Sequence, residues 1–283
     1  MFTRRTITYR VEFWLFIFLF YGLIGGCAPT LTEPMGSLKP GHEIVSLKTR
    51  PGVITRVLVS TPKTAPKGTV IVFMGGSALL VGEGGRVRAG FDGQHGTELF
   101  AEQEFSAVVV DVPSDQAAGV SDQFRVSEAH TEDMRRVIEF VSQKWPKPIF
   151  LMGHSLGTIS VANLGAVLKD RRIGGVVFTG SDGGRRRISL ATLPLENIAH
   201  RVLFVHHRDD GCFDIQAVRQ QSRRLANSPR VEFVEVVGGN SLPGHDPCRG
   251  GNNPHTFMGT EKEVIKVIAD WASGKPVAER IGQ

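Results

Sequence analysis

Ser155 stands in the stretch Gly153-His154-Ser155-Leu156-Gly157, with a glycine two residues to either side. A serine so flanked fits a nucleophile held on a sharp strand-to-helix turn, where side chains at the flanking positions would crowd the backbone. The chemistry it suggests is acyl transfer, in which the hydroxyl attacks a carbonyl carbon. With 33 Gly in 283 residues, chance gives a serine both glycines about once in 70, so the neighbouring residues have to decide. They favour the turn. The apolar run PIFLM (148–152) precedes the motif, and the small-residue stretch 158–168 follows it, as a buried strand and a close-packed helix would. A serine hydroxyl is a poor nucleophile near neutral pH. It needs a base, and the base needs a group to orient it.

The elements that must bring those partners together are legible from residue 43 onward. Stretches 43–49 and 53–60 read as antiparallel strands around the turn Arg50-Pro51-Gly52. The runs TVIVFM (69–74), AVVVD (107–111), PIFLM, GVVFT (175–179), RVLFV (201–205) and VEFVEVV (231–237) are short and apolar. That is expected of strands buried on both faces. Between 128 and 145, Met134, Val137, Ile138, Val141 and Trp145 follow helical spacing. The last helix opens on Thr260-Glu261-Lys262-Glu263, the pattern of a capping box, and carries the stripe Val264, Val267, Ile268 and Trp271. The alternation predicts an α/β fold, a mostly parallel sheet with helices on both faces, whose chemistry collects at the carboxyl ends of the strands.

The element order and the serine turn after its strand resemble the α/β-hydrolase fold from about residue 43 to 274. In that family the acid and then the histidine follow the serine along the chain. The resemblance places the acid after RVLFV, in His206-His207-Arg208-Asp209-Asp210-Gly211, at Asp210 with Asp209 as the alternative. It places the base after VEFVEVV and before the last helix, at His255, which directly precedes that helix, with His245 as the alternative. It assigns the oxyanion donors to the N–H of Leu156 and of Gly76 in Met74-Gly75-Gly76-Ser77; Met74 departs from the family's usual histidine, and Ser77 is the alternative donor. Only a short loop joins the strands between 179 and 201, where many relatives insert a helical cap. This implies little or no cap, and a site that is open or covered by the glycine-rich loop 82–93. The reading that follows is a Ser-His-Asp hydrolase of small carboxylic esters working through an acyl-enzyme, with no metal or organic cofactor. The alternatives are a thioesterase, amidase or acyl transferase using the same residues, or a non-catalytic envelope lipoprotein that keeps the fold.

The first residues suggest export. Arg4, Arg5 and Arg10 precede an apolar run from Phe13 to Ile24, followed by Gly25, Gly26 and Cys27. This is the layout of a secretory signal, and Leu23-Ile24-Gly25-Gly26-Cys27 resembles a lipobox, in which the cysteine takes a lipid and the signal is cut before it. An uncleaved signal anchor is the alternative. The expected organisation is a signal over 1–26, a lipid-anchored tether over 27–42 rich in Pro, Gly and Thr, and a hydrolase domain over 43–283. Setting Cys27 aside leaves Cys212 and Cys248, an even remainder that suggests one disulfide in an oxidising compartment. The formal net charge is +5, from 33 Lys+Arg against 28 Asp+Glu. Arg4, Arg5, Arg10 and Glu12 contribute +2 of it, so the rest carries +3, too little to argue for nucleic acid as a partner. Arg185, Arg186 and Arg187 read as a solvated loop face.

Overall fold

The computed structural model describes residues 35–36, 38–82, 85–241, 244, 246–249, 251 and 253–283. The expected signal, Cys27, the first part of the tether and His245 lie outside the described residues. The end of the tether is tied to the domain. Met35–Gly36 pairs antiparallel with Val87–Arg88, and the Lys39 N–H donates to the Gln94 side chain at 2.9 Å.

Nine strands among the described residues form one sheet. They are β1 (His42–Arg50), β2 (Val53–Ser60), β3 (Thr69–Phe73), β4 (Ser106–Pro113), β5 (Ile149–His154), β6 (Ile173–Thr179), β7 (Val202–His207), β8 (Val231–Val236) and β9 (Arg280–Ile281). Their order is β9-β8-β7-β6-β5-β3-β4-β2-β1. From β4 to β9 every pairing is parallel; β1 and β2 add antiparallel to the edge beside β4. The predicted strands are all present, shifted by a residue or two at their ends.

Two helical layers cover the sheet. The helices are α1 (Gln94–Glu102), α2 (Asp122–Arg125), α3 (Glu128–Lys144), α4 (Gly157–Val167), α5 (Ile215–Ser222) and α6 (Glu261–Ala272). Strand residues alternate between the layers. Ile71 and Phe73 of β3 join Met134, Val137, Ile138 and Val141 of α3 and Ile159 of α4, whereas Val70 and Val72 join Leu99 and Phe100 of α1 and Val264, Ile268 and Trp271 of α6. Both faces are therefore apolar, which is why these strands read as unbroken hydrophobic runs. Helix α4 is buried nearly all round, so its sequence is small and uncharged, without a polar face.

One helix start departs from expectation. Thr260 precedes α6 but makes no side-chain cap; its hydroxyl donates to the Phe257 carbonyl instead. The tight turn at Phe257, where φ is +60°, draws that hydroxyl back along the chain. Glu261 accepts the Gly259 N–H in place of a capping box.

The chain order jumps at β3, which lies between β4 and β5. That reversal opens a crevice at the carboxyl ends of β3 and β5, where loops from the two strands diverge.

Candidate active site

Each predicted site segment leaves the sheet at this crevice or beside it. Strand β5 ends at His154, and Ser155 follows with φ +53°, a left-handed conformation costly for any residue with a Cβ. The flanking glycines are sterically required. A Cβ on Gly157 would lie 2.0 Å from the Phe73 carbonyl oxygen, and one on Gly153 would lie 2.5 Å from that of Gly157. Strand β3 delivers Gly75 so close to the serine that a Cβ there would meet the Ser155 Cβ at 2.8 Å.

Strand β7 ends at His207, and the turn after it separates the two candidate acids. Asp209 points outward, its side chain 57% exposed and paired with Arg208. Asp210 points in, its carboxylate buried. Asp210 Oδ1 accepts the N–H groups of Cys212 at 2.8 Å and Phe213 at 3.1 Å. Oδ2 lies 2.8 Å from Nδ1 of His255. The other imidazole nitrogen, Nε2, lies 2.9 Å from Ser155 Oγ. Ser155, His255 and Asp210 thus form one continuous hydrogen-bonded chain. Burial alone would raise the Asp210 carboxyl. The hydrogen bond and charge of His255, the nearby His206 and the Phe213 N–H outweigh it and hold the group below its ordinary value.

His255 sits in a one-turn helix, Pro254–Thr256, capped by the Asn253 side chain. Its ring packs on Phe213 and His154, with centroids 5.4 Å and 5.1 Å away. Thr179 spends its hydroxyl proton on the Gly153 carbonyl, so His154 Nδ1–H must donate to that hydroxyl. Burial pushes His154 down to about 3, and the ring is a neutral wall for His255. His206 is fixed likewise. Its Nε2 faces the Phe213 carbonyl at 3.0 Å and so carries a proton, also aimed at Asp210 Oδ2 at 3.3 Å.

Neither the Gly76 nor the Leu156 N–H has an acceptor among the described residues. Leu156 precedes the first turn of α4, whose positive end faces the serine. Gly76 has φ +58° and is exposed. Its peptide is held from the other side: the Gly75 carbonyl accepts from Ala78 N–H at 3.1 Å and Arg88 Nη1 at 3.2 Å. Asp92, buried in the 82–93 loop, accepts the Gly75 N–H at 2.8 Å. Burial would raise this carboxyl too; the charge of Arg88 and the Gly75 N–H keep it lowered. The described part of that loop therefore braces the Gly75 segment.

Cys212 and Cys248 are joined by a disulfide across a separation of 36 residues. It ties the turn after Asp210 to the loop before His255. The loop from Gly180 to Arg201 carries only a one-turn helix, Leu195–Asn197, and no cap. Arg185, Arg186 and Arg187 are exposed but not all idle: Arg185 Nη1 donates to the Cys212 carbonyl at 3.0 Å, and Arg186 pairs with Asp122. A recess of about 450 Å³ lies between this loop and the Asp210 turn, lined in part by Arg185, Asp210 and Phe213.

No family model and no curated protein sequence matches the chain. Solved structures do. An α/β serine hydrolase without lid from Xanthomonas campestris aligns with TM-score 0.56 at 17% identity, covering 86% of this chain and 99% of the other. A thermostable carboxyl esterase from Bacillus coagulans aligns with TM-score 0.57 at 14% identity, covering 83% and 99%.

The chain has the α/β-hydrolase fold.

A cold-adapted esterase from an Arctic intertidal metagenomic library aligns similarly, with TM-score 0.55 at 14% identity over 84% of this chain and 96% of that one. At such identities the likeness is one of fold. Within this α/β-hydrolase scaffold, residues with no sequence signal complete the site. Arg88 and Asp92 come from the 82–93 loop, Arg125 from α2 and Ser160 from α4, and no motif marks them out.

Proposed function

We propose that the protein is a serine hydrolase of small carboxylic esters. The observation that carries this reading is the hydrogen-bonded chain Ser155–His255–Asp210, with the N–H groups of Gly76 and Leu156, which have no acceptor among the described residues, beside it. Ser155 Oγ attacks the acyl carbon as His255 Nε2 takes its proton. Asp210 holds the Nδ1 proton in place and stabilises the imidazolium without itself becoming protonated. Gly76 and Leu156 N–H groups donate to the oxygen that gains the negative charge. The imidazolium then protonates the departing alkoxide, leaving Ser155 acylated. Water, deprotonated by His255 Nε2, attacks that acyl group; the proton returns to Ser155 Oγ and the acid leaves. Each donor removed from such an oxyanion site typically costs about 3 kcal/mol of transition-state stabilisation.

The arrangement favours catalysis over a scaffold that only binds. A left-handed serine costs stability, and two buried carboxylates are placed around it: Asp210 holds the imidazole that reaches the Ser155 hydroxyl, and Asp92 holds the Gly75 N–H beside it. The esterase neighbours and the absent cap support a small ester in an open site. The N-terminal residues support an exported protein attached to a membrane by a lipid on Cys27.

Two measurements test the reading. A fluorophosphonate should label the parent protein at Ser155, and Ser155→Ala should lose both labelling and p-nitrophenyl acetate hydrolysis, by on the order of 10⁴-fold or more. Hydrolysis by the variant at the parent rate would overturn the assignment. Radiolabelled fatty acid should enter the parent and not Cys27→Ser; a mature chain that keeps residues 1–26 and takes no label would overturn the lipid anchor.

A further inference from the structure

Arg125 is the last residue of α2 and is 1% exposed, yet none of its hydrogen bonds goes to a carboxylate. Nη2 donates to the carbonyl of Gly76 at 2.9 Å and to that of Met74 at 3.2 Å. Nη1 donates to Ser160 Oγ on α4 at 3.2 Å. A guanidinium buried against neutral acceptors carries a desolvation penalty that a surface position would avoid. Burial lowers Arg125 to about 10, so it remains charged at neutral pH.

Two of the acceptors are the carbonyls on either side of the peptide that carries the Gly76 N–H, and the third is a hydroxyl on α4, the helix that opens just after Leu156. In a trans peptide the C=O and the following N–H point in opposite directions. A carbonyl held on one side therefore aims the next N–H to the opposite side. With the Gly75 carbonyl held by Arg88 and Ala78, and those of Met74 and Gly76 held by Arg125, three successive peptides are fixed from behind. The Gly75 N–H is taken by Asp92, leaving the N–H groups of Gly76 and Ser77 to face outward. Ser160 lies one turn along α4 from Leu156, the other donor. The geometry points to Arg125 as a positioning residue, a forked strut between the Met74–Gly76 loop and α4 that sets the spacing of the two oxyanion donors. This rests on the hydrolase reading proposed above and adds to it a residue that never touches the substrate.

A strut of this kind predicts a specific pattern of loss. Substrate binding in the ground state does not depend on it; stabilisation of the tetrahedral anion does. Lysine keeps the charge and much of the stem but cannot fork across two elements. In purified full-length protein, Arg125→Lys should lower kcat by on the order of 10- to 100-fold, as expected of a donor displaced by a fraction of an ångström, while KM changes by less than about threefold. The affinity of an alkyl trifluoromethyl ketone, whose adduct with Ser155 mimics the tetrahedral anion, should fall by the same factor as kcat/KM. Ser160→Ala removes one arm only and serves as the second variant should Arg125→Lys not fold; about a threefold loss is expected, again shared by kcat and ketone affinity. Parent-like ketone affinity in a folded Arg125→Lys or Ser160→Ala protein would overturn the strut and leave the hydrolase reading intact. A parent whose Ser155 takes no fluorophosphonate would overturn both.

Discussion

Replacing Asp210 by Asn keeps the shape of the side chain and reverses the hydrogen bond that matters. The amide oxygen must take the Oδ1 position, because the N–H groups of Cys212 and Phe213 can only donate there. The amide NH2 then faces His255 Nδ1, where Oδ2 had accepted. It also faces His206 Nε2, which carries a proton because it donates to the Phe213 carbonyl. Two donors oppose each other at His206. At His255 the amide can be satisfied only if Nδ1 becomes an acceptor, which moves the imidazole proton to Nε2. That proton points at Ser155 Oγ, so His255 can no longer take the serine proton. A triad left intact in shape but in this tautomer loses about 10⁴-fold in kcat, or about 5.4 kcal/mol of transition-state stabilisation. The assay is hydrolysis of p-nitrophenyl acetate at neutral pH, with circular dichroism to show that the variant is folded. Asp209→Asn, which alters an exposed pair, serves as the control and should stay within about twofold. An Asp210→Asn protein turning over within tenfold of the parent would refute the tautomer argument and return the acid's role to the open.

Three further outcomes are expected. Reducing the Cys212–Cys248 bond should destabilise the protein by about 4 kcal/mol in the chain-entropy account of a loop of this size and lower kcat by loosening the segment that leads to His255; unchanged urea midpoint and activity in reductant would count against it. Burial holds His130 and His154 down to about 3, so both are neutral when folded and protonate far more readily when unfolded. The unfolded state then binds more protons below pH about 6.5, and stability should fall on acidification, by about 2 kcal/mol for each histidine between pH 7 and 5; equal urea melts at the two values would refute it. Because no cap encloses a deep apolar tunnel, kcat/KM on p-nitrophenyl esters should be highest for short acyl chains, since an added methylene gains about 0.8 kcal/mol only where it is buried; a steady rise to long chains would contradict the open site.

The sequence by itself determined the sheet, the serine and the segments that had to meet it. Strands buried on both faces leave continuous apolar runs, and a left-handed serine demands glycines at fixed offsets, so both features appear in one dimension. It also carried the even pair Cys212 and Cys248, now joined. What it left open depended on rotation of the chain by a single residue or on contacts between distant segments. Asp209 and Asp210 are chemically alike; only the turn after β7, with the Cys212 and Phe213 N–H groups in wait, sends one inward and the other to Arg208. The Thr260 pattern promised a cap, but the tight turn at Phe257 claimed the hydroxyl first. Tertiary structure alone assembled Arg88, Asp92, Arg125 and Ser160 around Gly75, Gly76 and Leu156. A buried charge held by two backbone carbonyls and one hydroxyl leaves no periodicity and no motif, because most of its partners are peptide groups that every residue carries.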